Sequence, residues 1–363
     1  MITVPLVKVG MPPADQLMPA LEATLMSGQI GEGAEVRAFE EAFSAMFGLP
    51  NMLAMSSGTA ALHAALTLSG AGTGDEVIST AMTAEPTNVS ILHVGARPVF
   101  ADVDSTSGNI DPAAVEAAIT PRTRAILVVH YAGYPVRMAD IADIGRRHGI
   151  PVIEDCAHAL GARYAGQPIG TLGDFGIFSF QAIKHMTTGD GGALTIRDES
   201  LLAEARRFRW FGLERGVDRT RTNITSVGYK YNMNNITATI GLRQLDIIEG
   251  RIAAHIGNGR WFDSMLSTIP GLTPGAFDNV AEPSYWLYTL LSDDWEDVVA
   301  RLDSIGVQSS KLHLRNDRHD IFAGSRVPMP GLDLFYSRLV HLPCGWWVDE
   351  ETREAIANAL RAG

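Results

Sequence analysis

Two apolar runs, Ala-Ile-Leu-Val-Val at 125–129 and Pro-Val-Ile-Glu at 151–154, constrain this chain more than any other feature. A strand of that composition has no polar face to give to water, so it must be covered on both sides. Between the runs lies a helical pattern at 138–149 that ends on Gly149, a residue suited to the left-handed turn after a helix. Strand, helix and strand of this kind form a βαβ unit with its strands parallel.

The same alternation extends on both sides. Strand-like runs occur at 76–79, 97–100 and 193–196, and helices are predicted at 35–47 and 60–68. In the first helix Val36, Phe39, Phe43 and Phe47 share one face. The fold class expected is α/β, with a mainly parallel mixed sheet in a large domain at 1–245. A long helix over 235–256 marks the boundary. A strand at 285–291 and helices at 294–305 and 350–360 predict a smaller α+β domain at 246–363. With 46% hydrophobic and 19% charged residues, the 363-residue chain can build such a core.

Charge narrows the function. The balance is 29 basic against 41 acidic residues, a net −12, and no Lys/Arg run stands out, so nucleic acid is not an expected partner. No apolar stretch is long enough to span a bilayer, and the first residues do not read as an export signal. Cys156 and Cys344 are the only cysteines, too few for a disulfide framework or a cysteine-based zinc site, and no metal is expected. A reduced, cytoplasmic protein without membrane attachment follows as the expectation.

Four segments carry chemistry. Lys184 follows an apolar strand and precedes a glycine turn at 189–192. Small, apolar and hydroxylic neighbours desolvate an amine and lower its pKa, which makes lysine a nucleophile towards carbonyls. Asp155 ends the second apolar run, where a carboxylate needs a cation or hydrogen-bond donors. A protonated pyridine nitrogen would serve, and so would a turn that the carboxylate caps. His158, three residues on, reads either as a ligand contact or as a satisfied core histidine. The Ser-Ser-Gly-Thr stretch at 56–59 opens a helix, and a helix N-terminus attracts anions; alone it reads first as an ordinary N-cap. Ser179 offers a hydroxyl at the strand end before Lys184. The loop at 228–235 is aromatic and polar. Taken together, these are a phosphate cup, an acid for a ring nitrogen and an amine for an aldehyde, the binding problem posed by pyridoxal 5′-phosphate (PLP).

With these motifs in this order, the chain resembles the DegT/DnrJ/EryC1/StrS family of PLP-dependent nucleotide-sugar aminotransferases. The resemblance runs from 31–40 through 57–62, 154–161 and 178–192 to 228–242. It implies a fold type I (aspartate aminotransferase-like) transferase working as a homodimer with shared active sites. By position it implies that Lys184 forms the internal aldimine and Asp155 pairs with the pyridine nitrogen. It puts His158 near the ring hydroxyl, and gives Gly58, Thr59 and Ser179 to the phosphate. Lys230 would reach the phosphate in the partner's site. His313 and Arg315, in a polar stretch at 311–319, fall where the family contacts substrate, though the stretch also reads as a solvated loop. The aromatic clusters at 285–288 and 346–347 read as core or interface.

The reaction implied is transfer of an amino group from L-glutamate, leaving 2-oxoglutarate, to a nucleotide-linked 4-keto-6-deoxy or 3-keto-6-deoxy sugar. The product would be an amino sugar for a surface polysaccharide or a glycosylated metabolite. Two alternatives stand beside it: a deoxysugar dehydratase of the same fold, and a non-catalytic relative. Three departures from the family pattern matter. Ala84 stands where an aromatic residue often covers the cofactor ring. Lys230 replaces an amide. Dehydrating relatives carry histidine at the lysine position, where this chain has Lys184 with His185 beside it.

Overall fold

The computed structural model describes residues 4–361. Its centre is a seven-stranded sheet: β1 (Leu53–Met55), β2 (Glu76–Thr80), β3 (Arg97–Ala101), β4 (Thr123–Val129), β5 (Val152–Asp155), β8 (Phe175–Ser179) and β9 (Gly192–Ile196). The spatial order is β1-β9-β8-β5-β4-β2-β3. β9 pairs antiparallel with both its neighbours, and the remaining pairings are parallel. Residues 125–129 of β4 and all of β5 are buried, as strands covered on both faces require.

Helices cover both faces: α1 (Ala14–Met26), α2 (Ala34–Phe47), α3 (Gly58–Leu68), α4 (Glu85–His93), α5 (Pro112–Ala118), α6 (Met138–His148) and α7 (Leu202–Phe208). Gly149 ends α6 at φ +64° with its N–H on the Gly145 carbonyl, the stop its sequence predicts. Val36, Phe39 and Phe43 of α2 are fully buried, and the Phe39 and Phe43 rings pack edge-on against Phe180. That packing fixes the chain just after β8 and before Lys184.

A single helix, α8 (Asn235–Leu266), continues through 245/246, the boundary expected between domains. Its first part packs on α1 and α2 and its later part on a second sheet and on α11. That sheet orders β10 (Leu272–Pro274), β12 (Tyr288–Ser292) and β13 (Leu339–Leu342) and is flanked by α9 (Trp295–Ser304), α10 (Pro330–Arg338) and α11 (Glu350–Arg361). Short strands β6 (Arg163–Tyr164), β7 (Gln167–Pro168) and β11 (Ala281–Glu282) form a third sheet. The C-terminal core is shared: Leu6, Met82, Phe100 and Tyr131 join Trp286, Leu290 and Phe335 in one cluster.

One element differs from expectation. The strand read at 285–291 begins only at Tyr288, because Tyr285 takes φ +46°, a left-handed conformation that breaks an extended run. Hydrogen bonds from Ser284 N–H to the Gly133 carbonyl and from Leu287 N–H to the Ala132 carbonyl clamp the bend.

Candidate active site

Because β5 and β8 are parallel neighbours, Asp155 and Ser179 leave the sheet at the same edge, where open α/β sheets hold ligands. β1 runs parallel to β8 across β9, so the start of α3 arrives there too. Topology alone therefore gathers Gly58, Asp155, Ser179 and the segment that carries Lys184.

Asp155 is 3% exposed. Its Oδ2 accepts from the Thr87 hydroxyl at 2.8 Å and its Oδ1 from the Ala157 N–H at 3.1 Å. Burial raises its pKa, against the pull of those bonds and of the Lys184 and His130 charges. A buried carboxylate with donors on both oxygens still lacks a close cation, which suits a protonated ring nitrogen. The neighbouring Glu154 points to the other side of the strand. It accepts from the N–H groups of Gly170, Leu172 and Gly173 and pairs with His130 Nε2 at 3.1 Å. Although His130, Glu154 and Cys156 bring ligand atoms within 4.8 Å of one another, Glu154 and His130 are already committed to holding the loop at 170–173 and the Val136 N–H.

His158 is also 3% exposed, and its Nδ1 accepts from the Ala132 N–H at 3.4 Å. That bond puts the ring proton on Nε2. Burial first, then the Lys184 charge, keeps the pKa well below its ordinary value, so the imidazole is a neutral donor. Its ring stacks on Trp286 with centroids 4.0 Å apart and planes 22° off parallel.

Lys184 is half-buried, and its Nζ lies over the Trp286 ring, 4.1 Å from the centroid. Burial pushes the amine down to about 8, with Asp155 pulling the other way. His185 beside it donates from Nε2 to the Ser284 carbonyl and packs on His255, so it belongs to the core behind the pocket.

At the other end, Ser57 caps α3, its Oγ accepting from the Ala60 N–H at 3.0 Å. The N–H groups of Gly58 and Thr59 lie in the first turn, which no helical carbonyl can satisfy. A Cβ on Gly58 would come within 2.9 Å of Ser179 Cβ, so glycine lets the helix start and the serine share one anion cup. Lys230 is exposed; its Nζ donates to Asn232 Oδ1 at 2.9 Å and sits over the Trp210 ring. It touches none of the groups around Lys184 within its own chain.

Of the two substrate residues expected at 311–319, the structure brings one to the pocket. The His313 ring lies parallel to that of His158, with centroids 5.9 Å apart. Arg315 is spoken for: its Nε and Nη2 donate to Asp317 at 2.7 and 2.9 Å and its Nη1 to Asp333, with the side chain 4% exposed. These bonds turn the guanidinium to acids of its own chain, away from the role in binding hydroxyls or diphosphate expected of it. Residues missed from sequence are Thr87, Asn316 and Trp286. Asn316 accepts from Asn88 Nδ2 and donates to the Thr83 carbonyl, both at 2.8 Å, and so ties the loop that carries Ala84 to the C-terminal part. Three left-handed non-glycine residues, Ala132, Tyr285 and Leu312, each adjoin a pocket side chain. Such strain concentrates at functional sites.

A family model described as the DegT/DnrJ/EryC1/StrS aminotransferase family matches residues 14–361. The chain is 34% identical over 357 residues to the spore coat polysaccharide biosynthesis protein SpsC of Bacillus subtilis (strain 168), covering 93% of this chain and 92% of that protein. It is 36% identical over 301 residues to GDP-perosamine synthase of Caulobacter vibrioides, covering 81% and 80%. Among solved structures, AtS13 from Actinomadura melliaura superposes with a TM-score of 0.95 at 38% identity, covering 100% of this chain and 99% of that one. The chain belongs to the DegT/DnrJ/EryC1/StrS family, is an enzyme of the aminotransferase type, and uses PLP.

Proposed function

From that membership we propose that the protein transfers an amino group from L-glutamate to a nucleotide-linked keto-deoxysugar, with the ketone at C4 or C3 of a 6-deoxy sugar. The observation that carries this reading is the Lys184 amine, lowered to about 8 and facing Asp155 and His158. A base whose pKa lies near neutrality is matched to proton transfer at physiological pH. The name of the Caulobacter relative, GDP-perosamine synthase, supports a nucleotide sugar as acceptor.

Bound at this edge, the cofactor supplies an aldehyde for amines and a ring that draws electrons from the adjoining carbon. Asp155 holds the proton on the ring nitrogen. His158, a neutral donor at Nε2, would hydrogen-bond to the ring hydroxyl and so orient the ring. Gly58 and Thr59 N–H and the Ser179 hydroxyl hold the phosphate. Lys184 Nζ would take the α-proton of the donor amino acid and deliver it to the cofactor carbon that keeps the nitrogen, and His313 would face the sugar. We propose further that a second copy completes the site. Lys230 is exposed, and Phe211, Ile224 and Val227 near it present apolar side chains to the outside, as a surface covered by a partner does. The reducing cytoplasm suits the unpaired thiols of Cys156 and Cys344.

The test is a panel of nucleotide-linked keto sugars incubated with L-glutamate and PLP and read by mass spectrometry. The expected product carries an amine in place of the ketone, and none forms with Lys184→Ala. Loss of water from the sugar without gain of nitrogen would replace this reading with the dehydratase.

A further inference from the structure

Trp286 belongs to the buried C-terminal core, as its sequence neighbours suggest, and it also presents its ring to Lys184 and His158 at the pocket. The left-handed Tyr285 aims it there, and the rest of the bend is fastened. His255 Nδ1 donates to the Tyr285 carbonyl at 2.8 Å, and Tyr285 OH donates to Asp263 at 2.6 Å. The indole Nε1 donates to the Ile183 carbonyl at 2.9 Å, so the ring is tied to the residue before Lys184. Gly133 makes room for the bend, since a Cβ there would stand 2.6 Å from the Trp286 backbone nitrogen. The ring is 2% exposed. With its edge bonded and its face stacked with His158, it has little freedom to turn.

We propose that Trp286 is a positioning residue for Lys184: its indole face holds the free ammonium by cation–π attraction and keeps it over the pocket whenever the amine is not bonded to the cofactor. This rests on the reading of Lys184 as the catalytic amine, but not on the identity of the sugar. A freed lysine has four rotatable bonds and would otherwise drift from the reacting carbon. The other ionisable groups facing it are Asp155 from the end of β5, His158 after it, His185 beside it and His313 from the C-terminal loop. Burial holds the three histidines below their ordinary pKa, so near neutrality they bear no charge. Asp155 and the indole face are then what favours the charged amine against desolvation. Indole is the strongest aromatic cation acceptor, and the attraction grows as water is excluded.

The test uses the full-length protein loaded with pyridoxamine phosphate, in which Lys184 is free. Trace labelling with isotopic acetic anhydride across pH, quantified by mass spectrometry on the Lys184 peptide, gives the amine's pKa. Trp286→Leu is expected to lower it by about one unit, and Trp286→Phe by about half as much. Replacing the six tryptophans by fluorinated analogues weakens the π face without changing its shape. The pKa is expected to fall stepwise with each fluorine, and not to respond when fluorination is repeated on Trp286→Phe. A pKa that rises in the variants, or that ignores fluorination in the wild type, overturns the proposal. The fluorinated proteins decide the matter even where the leucine variant does not fold. Failure of the sugar panel would leave this measurement standing.

Discussion

Thr87 donates its hydroxyl to Asp155 Oδ2 at 2.8 Å, and Thr83 Oγ1 lies 2.9 Å from Thr87 Oγ1. Since Thr87 spends its proton on the carboxylate, Thr83 must donate to Thr87. A short relay thus leads from the loop after β2 to the carboxylate at the end of β5, and it favours the ionised acid against the pull of burial.

Thr87→Val removes that donor without changing the side chain's shape. A hydrogen bond to a charged group is worth about 1.5–3 kcal/mol. Cofactor affinity should fall about tenfold to a hundredfold, read by absorbance titration of cofactor-free protein with PLP. Thr87→Ser should retain most of it. Equal affinity in the valine variant would show that Asp155 is ionised without help.

Gly58→Ala tests the anion cup. The new Cβ would stand 2.9 Å from Ser179 Cβ and 3.2 Å from its Oγ, and both belong to a short side chain at a strand end that cannot move far. The start of α3 must retreat, and with it the N–H groups of its first turn. Affinity for PLP should fall about tenfold or more, the loss of one good anion contact. Gly72→Ala, where a Cβ meets nothing within 4 Å, is the matched control and should bind normally.

Arg315 distinguishes support from substrate contact. If its guanidinium serves Asp317 and Asp333, Arg315→Gln lowers stability by about 2 kcal/mol and leaves the KM for the sugar nucleotide nearly unchanged in the fraction that stays folded. A large rise in KM with an unaltered melting temperature would return Arg315 to the substrate.

How much could be read in advance follows from how local each signal is. The strands at 123–129 and 152–155 announce themselves through the apolar residues 125–129 and 151–153, which burial on both faces favours. Lys184 and Asp155 are legible because each places a charge where an apolar strand ends. Thr87 and Asn316 are not, since a threonine in a first helical turn and an asparagine in a polar loop look ordinary until the sheet and the C-terminal part bring their partners 68 and 228 residues distant. Trp286 is read only in part. Its neighbours read as a strand and its burial in the core is legible, but the left-handed Tyr285 beside it, which ends the extended run before β12, is not, and neither is the ring's contact with Lys184. Arg315 shows the converse: a residue type suited to phosphate is taken up by acids that fold beside it.

The lowered pKa of Lys184 carries a stability signature of its own. In the unfolded chain the amine titrates at its ordinary 10.5, and in the folded one at about 8. Folding therefore disfavours the charged form. The cost is fully present below pH about 8, shrinks as pH rises from there, and is gone above about 10.5, since between those values the unfolded chain binds more protons. A shift of this size corresponds to about 3 kcal/mol at most. Lys184→Met keeps the length of the side chain without the charge. Cofactor-free Lys184→Met should therefore be more stable than cofactor-free wild type near neutral pH, and the two should converge as pH approaches about 10.5. Urea unfolding of both proteins at several pH values measures the gap. A gap that stays constant with pH would mean that the amine titrates in the folded protein as it does in water, and that nothing in the pocket tunes it for proton transfer.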